Sequence, residues 1–102
     1  MNLTEILTAV REENLSRGQL EHFEMVLASL YSEYMIRLSV LEKSKALYFL
    51  AVGAEHPELP DVRIKRKWNG TDEGIELTQK KLEVKAVSKM HSSIRSRIFQ
   101  TL

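Results

Sequence analysis

Cysteine is absent from this sequence of 102 residues, and its absence removes several kinds of chemistry at once. The chain has no disulfide, no thiolate ligand for zinc and no cysteine nucleophile. Its histidines, His22, His56 and His91, are far apart and lack the spacing of metal ligands. The four glycines are scattered and form no phosphate-binding loop. We therefore expect no enzymatic activity, no metal site and no cofactor.

Long apolar runs are also missing from the sequence. No stretch approaches the roughly 18 to 20 apolar residues that are needed to span a bilayer. Residues 1–13 contain acidic side chains and no long apolar core, so they do not resemble a signal peptide. We expect no membrane segment. Together with the lack of cysteine, this pattern favours a cytoplasmic location.

The longest regular pattern covers residues 20–52 and predicts one long helix or a coiled-coil seam. Ser16 and Gln19 match a capping box at its start. Gly53 is expected to stop the helix, with Pro57 and Pro60 preventing its resumption. The apolar positions that carry this pattern are Leu20, Phe23, Leu27, Leu30, Tyr31, Tyr34, Leu38, Leu41 and Tyr48.

A second long helix is predicted after the turn signal Asn69-Gly70. Thr71 is its expected cap, and Asp72 and Glu73 place negative charge in the first turn, where the helix dipole favours it. An apolar stripe then continues to the last residue of the sequence. Its members are Ile75, Leu77, Leu82, Val84, Val87, Met90, Ile94, Ile98 and Leu102.

Two shorter segments complete the chain. Residues 1–13 contain a short helix candidate with Thr4 as its cap. Residues 61–68 form either a short helix capped by Asp61 or an extended basic segment, and the pattern leaves both open. We predict an all-α fold in a single domain, residues 1–102, built as a long antiparallel helical hairpin with a short N-terminal helix.

The end of the first long helix, residues 46–52, is apolar nearly all round. A helix that is apolar on every side is buried on every side, and one partner helix in so small a chain cannot cover it. We therefore expect a homo-oligomer or a bound partner. The residues assigned to its interface are Tyr34, Leu38, Leu41, Leu47, Tyr48 and Leu50.

The net charge of +1 conceals an uneven distribution. Residues 1–59 hold five basic and nine acidic residues, for a net charge of −4. Residues 60–102 hold ten basic and five acidic residues, for a net charge of +5. Such a chain can bind an anion with one half, pair its own halves or stack on copies of itself.

Basic residues of the second half form two groups beside an indole ring. Amines that neutralise phosphates next to a ring that stacks on a base are typical of single-stranded nucleic acid binding. The alternative is that the lysines are a solvated helix face and that Trp68 is a core residue beneath the turn. The residues assigned to nucleic-acid binding here are Arg63, Lys65, Arg66, Lys67, Trp68, Lys81, Lys85, Lys89 and Arg97.

Lys43 and Lys45 lie on the otherwise acidic first long helix, near its apolar end and not far from Arg37. They either extend the basic surface or pair with Glu42 and Glu33 at helical spacing. We favour the pairing.

Parts of the sequence resemble a known family. Residues 28–34 (ASLYSEY), Leu38 and residues 41–49 (LEKSKALYF) resemble the central helix of small bacteriophage recombination mediator proteins. Residues 67–74 (KWNGTDEG) and 88–98 (SKMHSSIRSRI) are similar to small helical phage proteins. The resemblance implies a ring-forming single-stranded DNA binder that loads a recombinase onto DNA coated with single-strand-binding protein, in a bacterial or phage-infected cell. It also implies that Lys43 and Lys45 contact the DNA.

Two functional hypotheses follow. The first is a homo-oligomeric accessory protein that binds single-stranded DNA non-specifically and acts in recombination or replication. The second is a protein–protein interaction module, such as a phage adaptor or an inhibitor of a host protein, that docks through the apolar end of the long helix.

Overall fold

The computed structural model describes residues 2–11 and 15–100, and every regular element in these ranges is helical. The helices are α1 (Leu3–Val10), α2 (Arg17–Glu55), α3 (Asp61–Asn69) and α4 (Asp72–Gln100). The long helices α2 and α4 run antiparallel and pack against each other. The predicted all-α hairpin with a short N-terminal helix is thereby confirmed.

Helix α1 begins two residues earlier than predicted, with a capping box at Asn2. Asn2 is the N-cap, and its side chain accepts a hydrogen bond from the Glu5 amide at 2.8 Å. The Glu5 carboxylate accepts one in return from the Asn2 amide at 3.2 Å. Thr4, the predicted cap, lies inside the first turn. Asn2 caps the helix in place of Thr4 because Asn2 and Glu5 together satisfy two free backbone amides.

Helix α2 starts as predicted but ends later. The Gln19 amide donates to Ser16 Oγ at 3.2 Å, and the Ser16 amide donates to Gln19 Oε1 at 2.8 Å. At the other end the helix passes through Gly53 to Glu55, so the predicted stop at Gly53 is wrong. No described glycine has a positive φ, so Gly53 forms no left-handed cap and the helix continues through it. Pro57 disfavours helical geometry at the residue before it, so α2 ends there.

The connection between α3 and α4 is tied by one threonine. Thr71 Oγ1 accepts a hydrogen bond from the Gly74 amide at 3.0 Å and donates one to the Trp68 carbonyl at 2.6 Å. The predicted cap of α4 is thus confirmed, and the threonine also closes the last turn of α3. Of the two alternatives for residues 61–68, the structure shows the helix. Its N-cap is Pro60, with no side-chain hydrogen bond, and Asp61 is its first residue.

The chain divides into two compact units, and each has its own apolar cluster. Unit 1 comprises Met1–Tyr34 and Glu83–Leu102. In unit 1, Arg97 Nη1 donates to the Val10 carbonyl at 2.8 Å and so ties α4 to the end of α1. The buried residues of its cluster are Ile6, Leu20, Phe23, Leu27, Val87 and Ile94.

Unit 2 comprises Met35–Leu82, and its cluster is built on the single tryptophan. Leu41, Trp68 and Leu77 are buried there, and Leu38, Tyr48 and Phe49 pack against them. Both units are formed from the same two long helices. The prediction of a single domain over residues 1–102 therefore stays a prediction.

The apolar stripe predicted for α4 is only partly internal. Leu77, Val87 and Ile94 are buried, whereas Ile75 is 52% exposed and Leu82 is 64% exposed. Positions 75 and 82 are seven residues apart and share a face that points away from Leu77, because each helical residue turns the direction by about 100°. The last residue of the predicted stripe, Leu102, lies outside the described residues.

Candidate nucleic-acid interface

Helix α3 presents four basic side chains on a helix of nine residues. Arg63, Lys65, Arg66 and Lys67 are all exposed. Within residues 2–11 and 15–100, none of the four forms an ion pair with a carboxylate. Arg66 and Lys67 lie in the last turn, where positive charge suits the helix dipole. The sequence-predicted basic group is therefore solvent-facing, and we call its four residues the α3 basic surface.

Trp68 does not belong to that surface. Its side chain is 2% exposed, and its ring packs against Tyr48 with centroids 5.4 Å apart and planes tilted by 55°. A ring enclosed in this way has no free face for a nucleobase, so the predicted stacking role is wrong. The alternative, a core residue beneath the turn, is confirmed. The indole is internal because α3 needs an apolar anchor in the unit 2 cluster.

The three α4 lysines assigned to nucleic-acid binding are exposed but differ in their partners. In unit 2, Lys81 Nζ lies 3.3 Å from Glu42 Oε1, so part of its charge is already balanced. In unit 1, Lys85 and Lys89 are four residues apart on the same face. In the part of the chain that the structure describes, neither has a carboxylate partner. These two lysines are the part of the predicted ridge that is available to an anion.

The remaining predicted contacts are engaged within the protein or lie elsewhere on α2. Arg97 is half-buried and binds the Val10 carbonyl, so its role is structural. Lys45 is half-buried, with its Nζ 6.0 Å from the centroid of the Phe49 ring, a weak cation–π contact. Lys43 is exposed on α2. The surface therefore has fewer available cations than the sequence predicted.

The predicted pairing of Lys43 and Lys45 with Glu42 and Glu33 is wrong, since neither lysine has a carboxylate partner among the described residues. Arg37 donates two hydrogen bonds to Glu76, from Nε to Oε1 at 2.8 Å and from Nη2 to Oε2 at 2.6 Å. Glu42 pairs with Lys81. A bidentate guanidinium–carboxylate pair has better geometry than an i,i+4 pair along one helix. Its hydrogen bonds hold the pKa of Glu76 below the ordinary value and raise the pKa of Arg37.

The Glu76 carboxyl should titrate at an unusually low pH. Because Arg37 binds the ionised form, the pKa of Glu76 is expected to lie below the ordinary value of a glutamate in the folded protein. The stabilisation is present above the unfolded pKa and is lost as the pH falls through the folded pKa. Carbon-detected NMR titration of the Glu76 carboxyl tests this. In Arg37→Gln the midpoint should return towards the ordinary value, and equal midpoints in both proteins would contradict the pairing.

The residues assigned to an oligomer interface fall into two groups. Leu41 is buried in the unit 2 cluster, and Leu38 and Tyr48 pack against it, so these three are internal. Tyr34 packs against the unit 1 cluster. Burial and the neighbouring Glu83 raise its pKa. Exposed apolar side chains remain on the opposite face of α2, at Leu47 (58%) and Leu50 (71%).

Two further residues extend that exposed apolar face. Ile36 is 68% exposed and Val40 is 47% exposed. With Leu47 and Leu50 they follow one line along α2 at spacings of four, seven and three residues, as in a coiled-coil seam. We call these four residues the outer seam. The sequence contains a second heptad pattern at these positions. It was missed because the apolar residues that pack inside the protein, such as Leu38 and Leu41, form the more obvious pattern.

In comparisons with known proteins, no protein family, curated protein or solved structure matches this chain. Residues 2–11 and 15–100 contain no cluster of three side chains suited to a metal ion. No helix among the described residues is both long enough and apolar enough to cross a membrane.

Proposed function

We propose that this protein is an accessory factor that binds single-stranded nucleic acid without sequence preference. The observation that carries the proposal is the α3 basic surface, with four exposed cations and no carboxylate partner among the described residues. Four neighbouring positive charges without a carboxylate partner are typical of a surface that binds an anion. In line with the family resemblance, the DNA-bound protein would assist a recombinase on strands coated with single-strand-binding protein.

The mechanism is electrostatic tracking of the phosphate backbone. Arginine and lysine heads displace condensed counterions from the strand, and this release supplies most of the affinity. Four phosphate contacts at the α3 basic surface alone give a slope of about −3 for the logarithm of the binding constant against the logarithm of the salt concentration. The α3 surface has no buried polar pocket to read base edges, so binding is expected to tolerate any sequence.

Fluorescence anisotropy with a labelled thymidine oligonucleotide tests the proposal. Between about 50 mM and about 200 mM salt, the affinity should fall about 50-fold. A variant with Arg63, Lys65, Arg66 and Lys67 all changed to glutamine should bind far more weakly and with a flatter salt dependence. Arg11→Gln combined with Arg17→Gln removes positive charge elsewhere and should change affinity less than twofold. Absence of binding by the unaltered protein at low salt would contradict the proposal.

A second candidate function, protein association, is favoured by the outer seam. We propose that two copies of the chain pair through this face of α2. The edges of the seam between Val40 and Leu50 carry small uncharged residues, so a like helix meets no repelling charge there. These flanking residues are Ser39, Ser44, Ala46 and Ala51.

The charge inside the seam selects the direction of pairing. Lys43 lies on the same line as the outer seam and is exposed. In a parallel pair in register, two Lys43 ammonium groups would face each other, which is unfavourable. In an antiparallel pair centred on Lys45 of both copies, each Lys43 instead lies beside Leu47 of the second copy, and Val40 lies beside Leu50. The proposal is therefore an antiparallel, two-fold symmetric pair.

Size-exclusion chromatography with light scattering tests the pairing. The unaltered protein should have the mass of an oligomer, and Leu47→Glu combined with Leu50→Glu should reduce it to the monomer. Leu82→Glu is the matched control, because Leu82 is also exposed but lies on α4. A monomeric unaltered protein at high concentration would overturn self-pairing and leave the seam to a different protein partner.

A further inference from the structure

We infer that a groove in unit 1, lined by Tyr31, Lys85 and Lys89, is a base-stacking subsite for single-stranded nucleic acid. The inference rests on the proposed function and deepens it. Trp68 is enclosed, so the ring expected to stack on a base must be supplied elsewhere. Tyr31 combines an exposed ring with cations that have no described carboxylate partner.

The groove lies between α2 and α4 within unit 1. One cavity, of about 530 Å³, is lined by Tyr31, Ser88 and the two lysines, with Val84 and Ala86. A second, of about 310 Å³, is again lined by Tyr31 and Ser88, together with Ala28, Ser32, His91 and Ser92. Because the two cavities share Tyr31 and Ser88, the tyrosine stands where they adjoin. Both volumes fall within the range of known ligand sites.

Tyr31 offers the contact that a nucleobase requires. Its side chain is 39% exposed, so part of the phenol ring faces the groove instead of the core. Every base has a π-face, so stacking on this ring adds affinity without selecting a sequence. Small side chains on both helices, Ala28, Ser32 and Ser88, keep the space beside the ring open.

Lys85 and Lys89 offer the matching contacts for phosphates. They line the same cavity as Tyr31, and their Cα atoms are separated along the helix by about 6 Å. Two ammonium groups at this spacing can each neutralise a phosphate flanking the stacked nucleotide. Ser88 adds a hydroxyl between them that can donate to a phosphate or sugar oxygen.

No described residue that lines either cavity carries a carboxylate. Glu24 is occupied by Arg95, with Nε 3.5 Å from Oε1, and His91 Nε2 lies 3.8 Å from the same oxygen. Glu83 interacts with Tyr34. Lys85 and Lys89 therefore supply the charge that lines the groove itself.

A protein–ligand substitution cycle tests the subsite. Tyr31→Leu removes the ring, and a thymidine oligonucleotide is compared with an abasic strand of equal length and charge. We expect Tyr31→Leu to bind the thymidine strand about tenfold more weakly. Binding of the abasic strand and the salt slope should not change. Tyr31→Phe should retain the affinity, and Phe99→Leu, which alters another exposed ring of unit 1, should have no effect.

The outcomes separate the subsite from the function on which it rests. No binding of either strand by the unaltered protein at low salt would overturn the proposed function. Strong binding that Tyr31→Leu leaves intact would overturn the subsite and leave electrostatic tracking in place. Equal weakening on both strands would also overturn it, because stacking acts only through bases. Photocrosslinking with a 5-iodouracil strand gives a second readout: attachment should map to Tyr31, and attachment only elsewhere would contradict the inference.

Discussion

Alanine at position 74 is expected to lower the free energy of unfolding by at least about 3 kcal/mol. A Cβ atom built on Gly74 would lie 1.9 Å from the carbonyl oxygen of Trp68 and 2.8 Å from its carbonyl carbon. Both are backbone atoms, so no rotamer change can relieve the clash. Either the start of α4 or the end of α3 must move, and the hydrogen bonds of Thr71 would be lost with it. Urea denaturation followed by circular dichroism measures the effect.

The same substitution at Gly53 is the matched control and should have the opposite sign. Gly53 lies within α2, and a Cβ there would meet nothing within 4 Å. Alanine is the better helix former, so Gly53→Ala should raise the free energy of unfolding by about 0.5 to 1 kcal/mol. If Gly74→Ala were as stable as the unaltered protein, the close approach of α3 to α4 would be refuted.

Truncation of Trp68 to alanine is the second large effect, with an expected loss of about 3 to 5 kcal/mol. The indole packs with Leu41 and Leu77 in the unit 2 cluster and contacts the ring of Tyr48. Removing it leaves a cavity that a cluster this small cannot fill by relaxation. Urea denaturation of Trp68→Ala, followed by circular dichroism, provides the measurement.

Two further variants distinguish packing from nucleic-acid contact. Val62→Ala changes a 63% exposed side chain of α3 and should alter stability by less than about 0.5 kcal/mol. Trp68→Phe should keep more of the stability than Trp68→Ala, because less volume is lost. In the folded Trp68→Phe protein, affinity for single-stranded DNA should equal that of the unaltered protein. A marked loss of affinity without loss of stability would restore the stacking role to the indole.

Local sequence signals predicted the elements of this fold well. The Ser16–Gln19 capping box and the Thr71 cap use contacts within three residues, so their geometry is already specified by the sequence. Gly53 shows the limit of such signals. A glycine permits a left-handed turn without requiring one, and here the chain continues as a right-handed helix to Glu55.

Contacts between distant residues could not be predicted in the same way. Arg37 and Glu76 are 39 residues apart, and their pairing depends on the register between α2 and α4. Sequence spacing favoured local partners because it shows only neighbours on one helix. A tryptophan at position 68 is likewise compatible with two roles, stacking on a nucleobase or packing in the core. Only its burial in the folded protein decides between them.

Of the candidate surfaces, the sequence indicated the basic residues of α3 but not the outer seam or the exposure of Tyr31. The basic residues of α3 are exposed as a group, which the sequence could predict because exposure is the default for a lysine or an arginine. The outer seam and Tyr31 were missed as such. Helix α2 has apolar residues on two opposite faces, so its pattern alone does not tell which face is internal, and Tyr31 was grouped with the inner positions although 39% of its side chain is exposed.

The position of the single tryptophan gives the protein an intrinsic optical probe of one region. Indole emission shifts to longer wavelength on contact with water, and Trp68 is enclosed in the unit 2 cluster. Its emission therefore records the opening of that cluster, whereas far-ultraviolet circular dichroism records all four helices together. Thermal curves from the two signals would coincide if both units melt cooperatively and would separate if one opens first.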